Sequence, residues 1–247
     1  MDFNYKKPTH LLALILIAVT FALFLLLPIL SFYGFPSTAS SGVEQLQEIP
    51  SYVKLIFEIF LLFFQLALAF VLLVLFPMAW YSLVNKKNFH GILEEIKLKK
   101  KNLPKSLLWG LISAAGIIGI LTLFEILLVQ AGIEPKDLGN TQDVAAFFSP
   151  LSLFVLLAVQ PVAEEFFYRG FLLDKFSSIF DEHIAVVLTA VLFGLAHLTY
   201  NKFFPAIFIA GAGLILGYLV VRTKNLYSAI FAHIAFNLTS FAFLYFI

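Results

Sequence analysis

Long apolar runs alternate with short polar segments along the whole chain. A bilayer core of about 30 Å needs about 20 apolar residues in a helix. Runs at about 10–33, 54–84, 106–131, 148–173, 184–200, 204–221 and 226–246 reach or approach that length. They predict an all-α fold, a polytopic membrane helix bundle of about seven to eight transmembrane helices. The last three runs carry Gly, His and Asn among the apolar residues. Lipid has no use for such side chains, so these helices are expected to pack inside the bundle. Gly211, Gly213 and Gly217 are read as a close-approach face, and Gly194 as a place where a neighbouring helix comes near His197.

Lys6 and Lys7 precede the first run as they would in a signal peptide, but the run exceeds the usual about 7–15 apolar residues and is read as a retained span. Positive charges are expected inside. With the N-terminus cytoplasmic and seven alternating spans, twelve Lys and Arg fall inside and three outside, discounting Arg169 within a span. That arrangement places the C-terminus outside. The loops at 34–53 and 132–147 become outer connections. Residues 86–105 become an inner one, with Phe89, Ile92, Leu93 and Ile96 at helical spacing beside Lys97, Lys99, Lys100 and Lys101. This pattern predicts a short amphipathic helix on the cytoplasmic surface, drawn to anionic lipid. Residues 1–144 thus comprise the N-terminal helices and this basic segment. Residues 145–247 form a second part of one compact membrane domain.

Composition agrees. Of 247 residues 61% are hydrophobic and only 13% charged, where a soluble domain has about 25%. Mean hydropathy is +0.97. These values exclude an ordinary soluble globule, a disordered chain and a nucleic-acid binder with a basic face. The absence of Cys excludes a disulfide framework, a thiolate metal site and a cysteine nucleophile.

An ionisable group inside a span costs roughly 2.5–3.5 kcal/mol on insertion scales, and so points to function. The fourth span holds Glu164, Glu165 and Arg169, the fifth His197, the seventh His233 and Asn237. At about 1.5 Å per residue, Glu164, His197, His233 and Asn237 lie about 12–21 Å from the inner ends of their spans. Glu165 and Arg169 are four apart and can pair, which leaves Glu164 turned about 100° away. His233 and Asn237 are also four apart and can point at one spot. Pro161 removes a backbone donor three residues before Glu164, so a kink that admits water is expected there.

A carboxylate beside an imidazole can activate a water. A second His with an Asn can donate to a developing oxyanion. Together they would hydrolyse an amide within the membrane. The same set could hold a metal, since two His and one Glu form a known catalytic zinc set. In that case Glu164, His197 and His233 are the ligands. The soluble zincin signature HExxH is absent.

Three motifs occur in order on successive hydrophobic segments: EExxxR from Glu164 to Arg169, FxxxH from Phe193 to His197, and HxxxN from His233 to Asn237. In this arrangement the chain resembles the CPBP family of CAAX proteases and bacteriocin-processing enzymes (Abi), which includes the type II CAAX prenyl endopeptidases. The resemblance covers about residues 145–247. It implies an intramembrane endopeptidase in which Glu164, assisted by His197, activates water. Glu165 supports it, paired with Arg169, and His233 with Asn237 stabilises the oxyanion. Family members are described both as metalloproteases and as metal-free, glutamate-dependent enzymes. The second reading is favoured here and requires no cofactor, with zinc as the ion on the other. The implied substrate is a membrane-associated peptide or protein, of prenylated CAAX, bacteriocin or signal-peptide type. The implied setting is a prokaryotic cell membrane, as an integral multi-pass protein with no nucleic-acid partner.

Two other classes of protein could carry such residues. A non-catalytic immunity or scaffold protein binding another membrane protein would keep its function in Glu164→Ala. A proton-coupled transporter would use intramembrane Glu, His and Arg, but no inverted repeat is apparent. Gln65 and Gln160 are expected to form interhelical hydrogen bonds, Glu58 to reach water at a span end, and Glu125 to line a path or pair with another helix.

Overall fold

The structure, a computed structural model, describes residues 3–34, 50–133, 145, 148–198 and 203–246. Most of the two outer loops expected from sequence lies outside the described residues. Among the described residues the fold is all-helical. Its helices are α1 (Pro8–Leu30), α2 (Ser51–Leu83), α3 (Phe89–Glu95), α4 (Leu103–Gln130), α5 (Pro150–Ser177), α6 (Glu182–Leu195), α7 (Phe204–Thr223) and α8 (Leu226–Phe246). All but α3 and α6 are long and apolar enough to cross a bilayer. The chain is therefore an integral, multi-pass membrane protein.

The expected fifth span is the exception. α6 has 14 residues, about 21 Å at 1.5 Å per residue, short of the about 30 Å core. It stops at Leu195 although the apolar sequence runs on. The His197 ring explains the stop. Its Nδ1 meets the Phe193 carbonyl at 2.8 Å, the group its own backbone N–H would bond in a longer helix. That N–H turns instead to the Gly194 carbonyl at 2.9 Å, and the Leu198 N–H to Leu195 at 3.1 Å. The last turn tightens to i→i−3 bonds and the helix ends. An apolar run alone could not reveal a stop made by a side chain.

Three of the long helices contain π-helical turns, Ala22–Leu26, Val71–Leu75 and Phe166–Leu172. Such turns disturb the i→i−4 ladder and expose carbonyls to outside donors. One is used at once: buried Thr20 of α1 donates to the Leu72 carbonyl at 3.0 Å and so joins α1 to α2. The turn in α5 is the centre of the molecule, and all seven of its residues are buried.

α6 and α7 approach closely on small residues. A Cβ on Gly194 would stand 2.5 Å from the Ala206 carbonyl oxygen and 2.7 Å from the Ala210 Cβ. A Cβ on Gly217 would stand 2.8 Å from Val186 Cγ1. Gly213 faces Ala190 and Arg169, whereas Gly211 has open space, so two of the three expected glycines form the close face.

The basic inner segment differs from expectation. α3 spans only seven residues. Its Ile92, and Ile96 just beyond it, are buried in the bundle core rather than laid on lipid. Ile96 packs against Gly170 of the central π turn. Residues 97–101 are strapped to the start of α8. Asn225 Nδ2 donates to the Lys99 and Lys101 carbonyls at 2.9 and 3.2 Å, and the Leu226 N–H to the Lys97 carbonyl at 2.9 Å. Burial, with repulsion from Lys224, holds the Lys97 ammonium below the ordinary lysine range. Periodicity had marked the apolar face of this segment correctly but not the surface it meets.

Gly194→Ala is expected to destabilise the protein by about 1–3 kcal/mol, since backbone on α7 must retreat from the new methyl group. Gly211→Ala, with room around it, is expected to leave stability unchanged or slightly improved. Melting temperatures in detergent would check the pair.

Candidate active site

α5 brings the acidic pair to mid-bundle. Glu164 is 14 residues from Pro150 and 13 from Ser177, about 20 Å from either end. Glu165 is fully buried, and Glu164 keeps 7% of its surface. The π turn begins one residue later and carries Arg169 inward.

Arg169 is 1% exposed and answers Glu165 from several sides. Its Nη1 donates to Glu165 Oε1 at 2.6 Å, and its Nη2 to the Gly213 carbonyl of α7 at 3.2 Å. The guanidinium lies over the Phe193 ring of α6, 4.3 Å from the centroid. Close packing at Gly213 is therefore also a means of delivering a carbonyl to the cation. The predicted Glu165–Arg169 pair is present, and α6 and α7 help to hold it.

His233 of α8 lies between the two carboxylates. Its Nδ1 is 2.8 Å from Glu165 Oε1, and its Nε2 is 3.7 Å from Glu164 Oε2. Glu165 already accepts from Arg169, so it is an ionised acceptor and Nδ1 is the donor. A neutral His233 then has its lone pair at Nε2, facing Glu164. It offers a proton there only as an imidazolium.

His197 is half-buried in the turn after α6. Its Nδ1–H is committed to the Phe193 carbonyl at 2.8 Å, which leaves Nε2 as a proton acceptor in the neutral ring. Phe193 is the common neighbour of the cluster. Its ring centroid is 4.9 Å from that of His197, 5.7 Å from that of His233 and 4.9 Å from that of Tyr168.

Asn237 bonds to the backbone of α5. Its Nδ2 donates to the Leu157 carbonyl of α5 at 3.3 Å. Pro161 is the cause: it has no N–H for the carbonyl four residues earlier, and that carbonyl belongs to Leu157. The expected loss of a backbone donor is thus met by a side chain from α8. Asn237 retains a second amide N–H.

Sequence reasoning gave no site role to Gln160 or Gln65. Gln160 Nε2 donates to Glu164 Oε1 at 2.6 Å, and Gln65 Nε2 of α2 donates to Gln160 Oε1 at 3.0 Å. The available signal was a Gln one helical turn before Glu164 in an otherwise apolar span. Glu58, expected near water, accepts the Ser149 N–H at 2.7 Å at the start of α5. Glu125 is exposed on α4.

A zinc centre from Glu164, His197 and His233 would need three donors about 2.0–2.2 Å from one point. Among the described residues no three His, Asp, Glu or Cys side chains are grouped to hold a metal ion. The donors as placed do not converge on such a point.

A membrane-embedded helical bundle that buries an ionised Glu–Arg pair beside a second Glu and two imidazoles has the parts of an acid–base enzyme. Residues 146–239 match the family model described as Rce1-like, type II CAAX prenyl endopeptidase. This matched segment contains all six residues singled out from sequence, and its similarity to Rce1-like CAAX proteases agrees with the three motifs. No curated protein and no solved structure matches the chain.

Arg169→Met would leave Glu165 buried without its cation. A loss of about 3–5 kcal/mol is expected, read as a large fall in melting temperature. Glu182→Gln, which breaks the exposed ion pair with Lys224, is expected to leave that temperature nearly unchanged.

Proposed function

We propose that this chain is an intramembrane endopeptidase that hydrolyses a peptide bond with water activated by Glu164. The observation that carries the reading is the division of labour between adjacent carboxylates. Glu165 bonds the Arg169 guanidinium and the His233 Nδ1–H, while Glu164 accepts a neutral amide N–H and has His233 Nε2 3.7 Å from its second oxygen, beyond a direct hydrogen bond. A buried carboxylate with no directly bonded guanidinium or ammonium is suited to accept a proton.

In the proposed reaction a water lies between two acceptors, Glu164 Oε2 and His197 Nε2. Glu164 takes one proton as the water oxygen bonds to the scissile carbonyl carbon. The carbonyl oxygen becomes an oxyanion, which protonated His233 and the second N–H of Asn237 stabilise. The proton on Glu164 passes to the amide nitrogen. The C–N bond breaks, leaving a new carboxyl group and a new amine. Arg169 touches no reacting atom; it keeps Glu165 ionised and thereby fixes the Nδ1–H of His233.

The substrate is a membrane-associated peptide or protein, and the Rce1-like match favours a prenylated CAAX-type tail. Bacteriocin and signal-peptide substrates remain within the same chemistry. The Lys-rich end of the bundle is assigned to the cytoplasmic side by the positive-inside rule, and the prokaryotic setting rests on the family resemblance alone.

Purified wild type, Glu164→Ala and His197→Ala would be compared on farnesylated CAAX peptides and on unmodified membrane peptides, with and without chelator. Both variants are expected to lose about 10²–10⁴-fold in kcat. Chelator is expected to leave the wild-type rate unchanged. Wild-type cleavage that survives Glu164→Ala would overturn the assignment.

A further inference from the structure

We propose that Gln65, in the N-terminal half of the chain, is a positioning residue for Glu164 and acts through Gln160. The inference rests on Glu164 being the proton acceptor. Gln65 is 14 residues into α2 and Gln160 ten residues into α5, so both lie deep in apolar helices at about 15–21 Å from their starts. A polar amide there is costly unless bonded. Their contacts form one chain, Gln65 Nε2 to Gln160 Oε1 at 3.0 Å and Gln160 Nε2 to Glu164 Oε1 at 2.6 Å.

The direction of this chain is set by chemistry. An ionised carboxylate only accepts, so Gln160 must turn its NH2 group to Glu164. Its oxygen then faces α2 and needs a donor, which the Gln65 amide provides. With no donor at position 65, nothing on α2 holds the Gln160 amide in that sense. The 2.6 Å bond occupies Oε1 of Glu164 and so leaves Oε2 as the oxygen turned towards His233. Gln65 thereby selects which carboxylate oxygen works. It also gives the N-terminal half, outside the matched segment at 146–239, a part in the site beyond framing it.

The test uses the purified full chain with farnesylated CAAX peptide, comparing wild type, Gln65→Met, Gln160→Met and the double variant, with Glu164→Ala as the inactive reference. Gln160→Met is expected to lower kcat about 10- to 100-fold, the loss of one hydrogen bond to a charged group, with KM within about twofold of wild type. Gln65→Met is expected to act in the same direction but less. The double variant is expected to be no slower than Gln160→Met, because Gln65 has no other route to Glu164. Additive losses, or a Gln65→Met variant with wild-type kcat, would overturn the proposal. A merely structural contact would lower the melting temperature without separating kcat from KM.

A second measurement needs no substrate. Labelling of Glu164 in native membranes by dicyclohexylcarbodiimide, read by peptide mass spectrometry, is expected to rise in both single variants as the carboxyl group is released. Gln65→Leu serves in place of Gln65→Met if that variant fails to fold. Unchanged labelling would overturn the proposal even where no peptide is cleaved. Failure of wild type to cleave any peptide, with labelling raised as expected, would count against the protease reading and not against the positioning.

Discussion

A guanidinium buried at the middle of a membrane bundle imposes its requirements on everything around it. Arg169 must have an anion, and Glu165 one turn earlier is that anion. It must have further acceptors, and α7 supplies the Gly213 carbonyl. It must have a flat face to lie against, and α6 supplies Phe193. Each need draws a different helix to the same point. The small residues that let α6 and α7 close on each other are the steric counterpart of that electrostatic demand. The ion pair is thus less a contributor of net stability, which buried pairs seldom are, than a constraint on which helix arrangements are allowed.

That constraint also sorts the two adjacent carboxylates. Glu165 loses its freedom to Arg169 and the His233 Nδ1–H. Glu164, about 100° round the helix, meets an amide and an imidazole nitrogen instead. Two identical side chains in adjacent positions therefore stand in different electrostatic settings, one against a guanidinium and the other against an amide. The same sorting fixes the tautomers. His233 is held as a donor at Nδ1 by a carboxylate, and His197 as a donor at Nδ1 by a carbonyl. His233 thereby turns its Nε2 towards Glu164.

Much of this was legible in the chain because membrane burial makes polar residues expensive. The Glu165–Arg169 pair followed from i,i+4 spacing, and His233 from its place on the last apolar segment. Six of the seven apolar runs became full-length helices for the same reason of length. Where the reading fell short, the cause was a contact between residues distant in sequence. Periodicity cannot say whether Ile92 and Ile96 meet lipid or Gly170. It cannot say that a histidine ring will take the Phe193 carbonyl and end α6 early. Gln65 and Gln160 are 95 positions apart, and only the packing of α2 on α5 makes them one hydrogen-bonded chain.

The bond from Asn237 to the Leu157 carbonyl has a consequence for how this sequence can change over time. The carbonyl lacks its helical partner only because Pro161 stands four residues on. Losing Asn237 first strands a polar group inside the membrane. Replacing Pro161 first restores a backbone donor, after which the Asn237 amide is no longer needed there. The two positions are therefore bound by an order of events: one sequence of substitutions passes through a sound intermediate and the other does not. A lineage that acquired the proline early would find the asparagine locked in behind it, for a reason separate from any part the amide plays in chemistry.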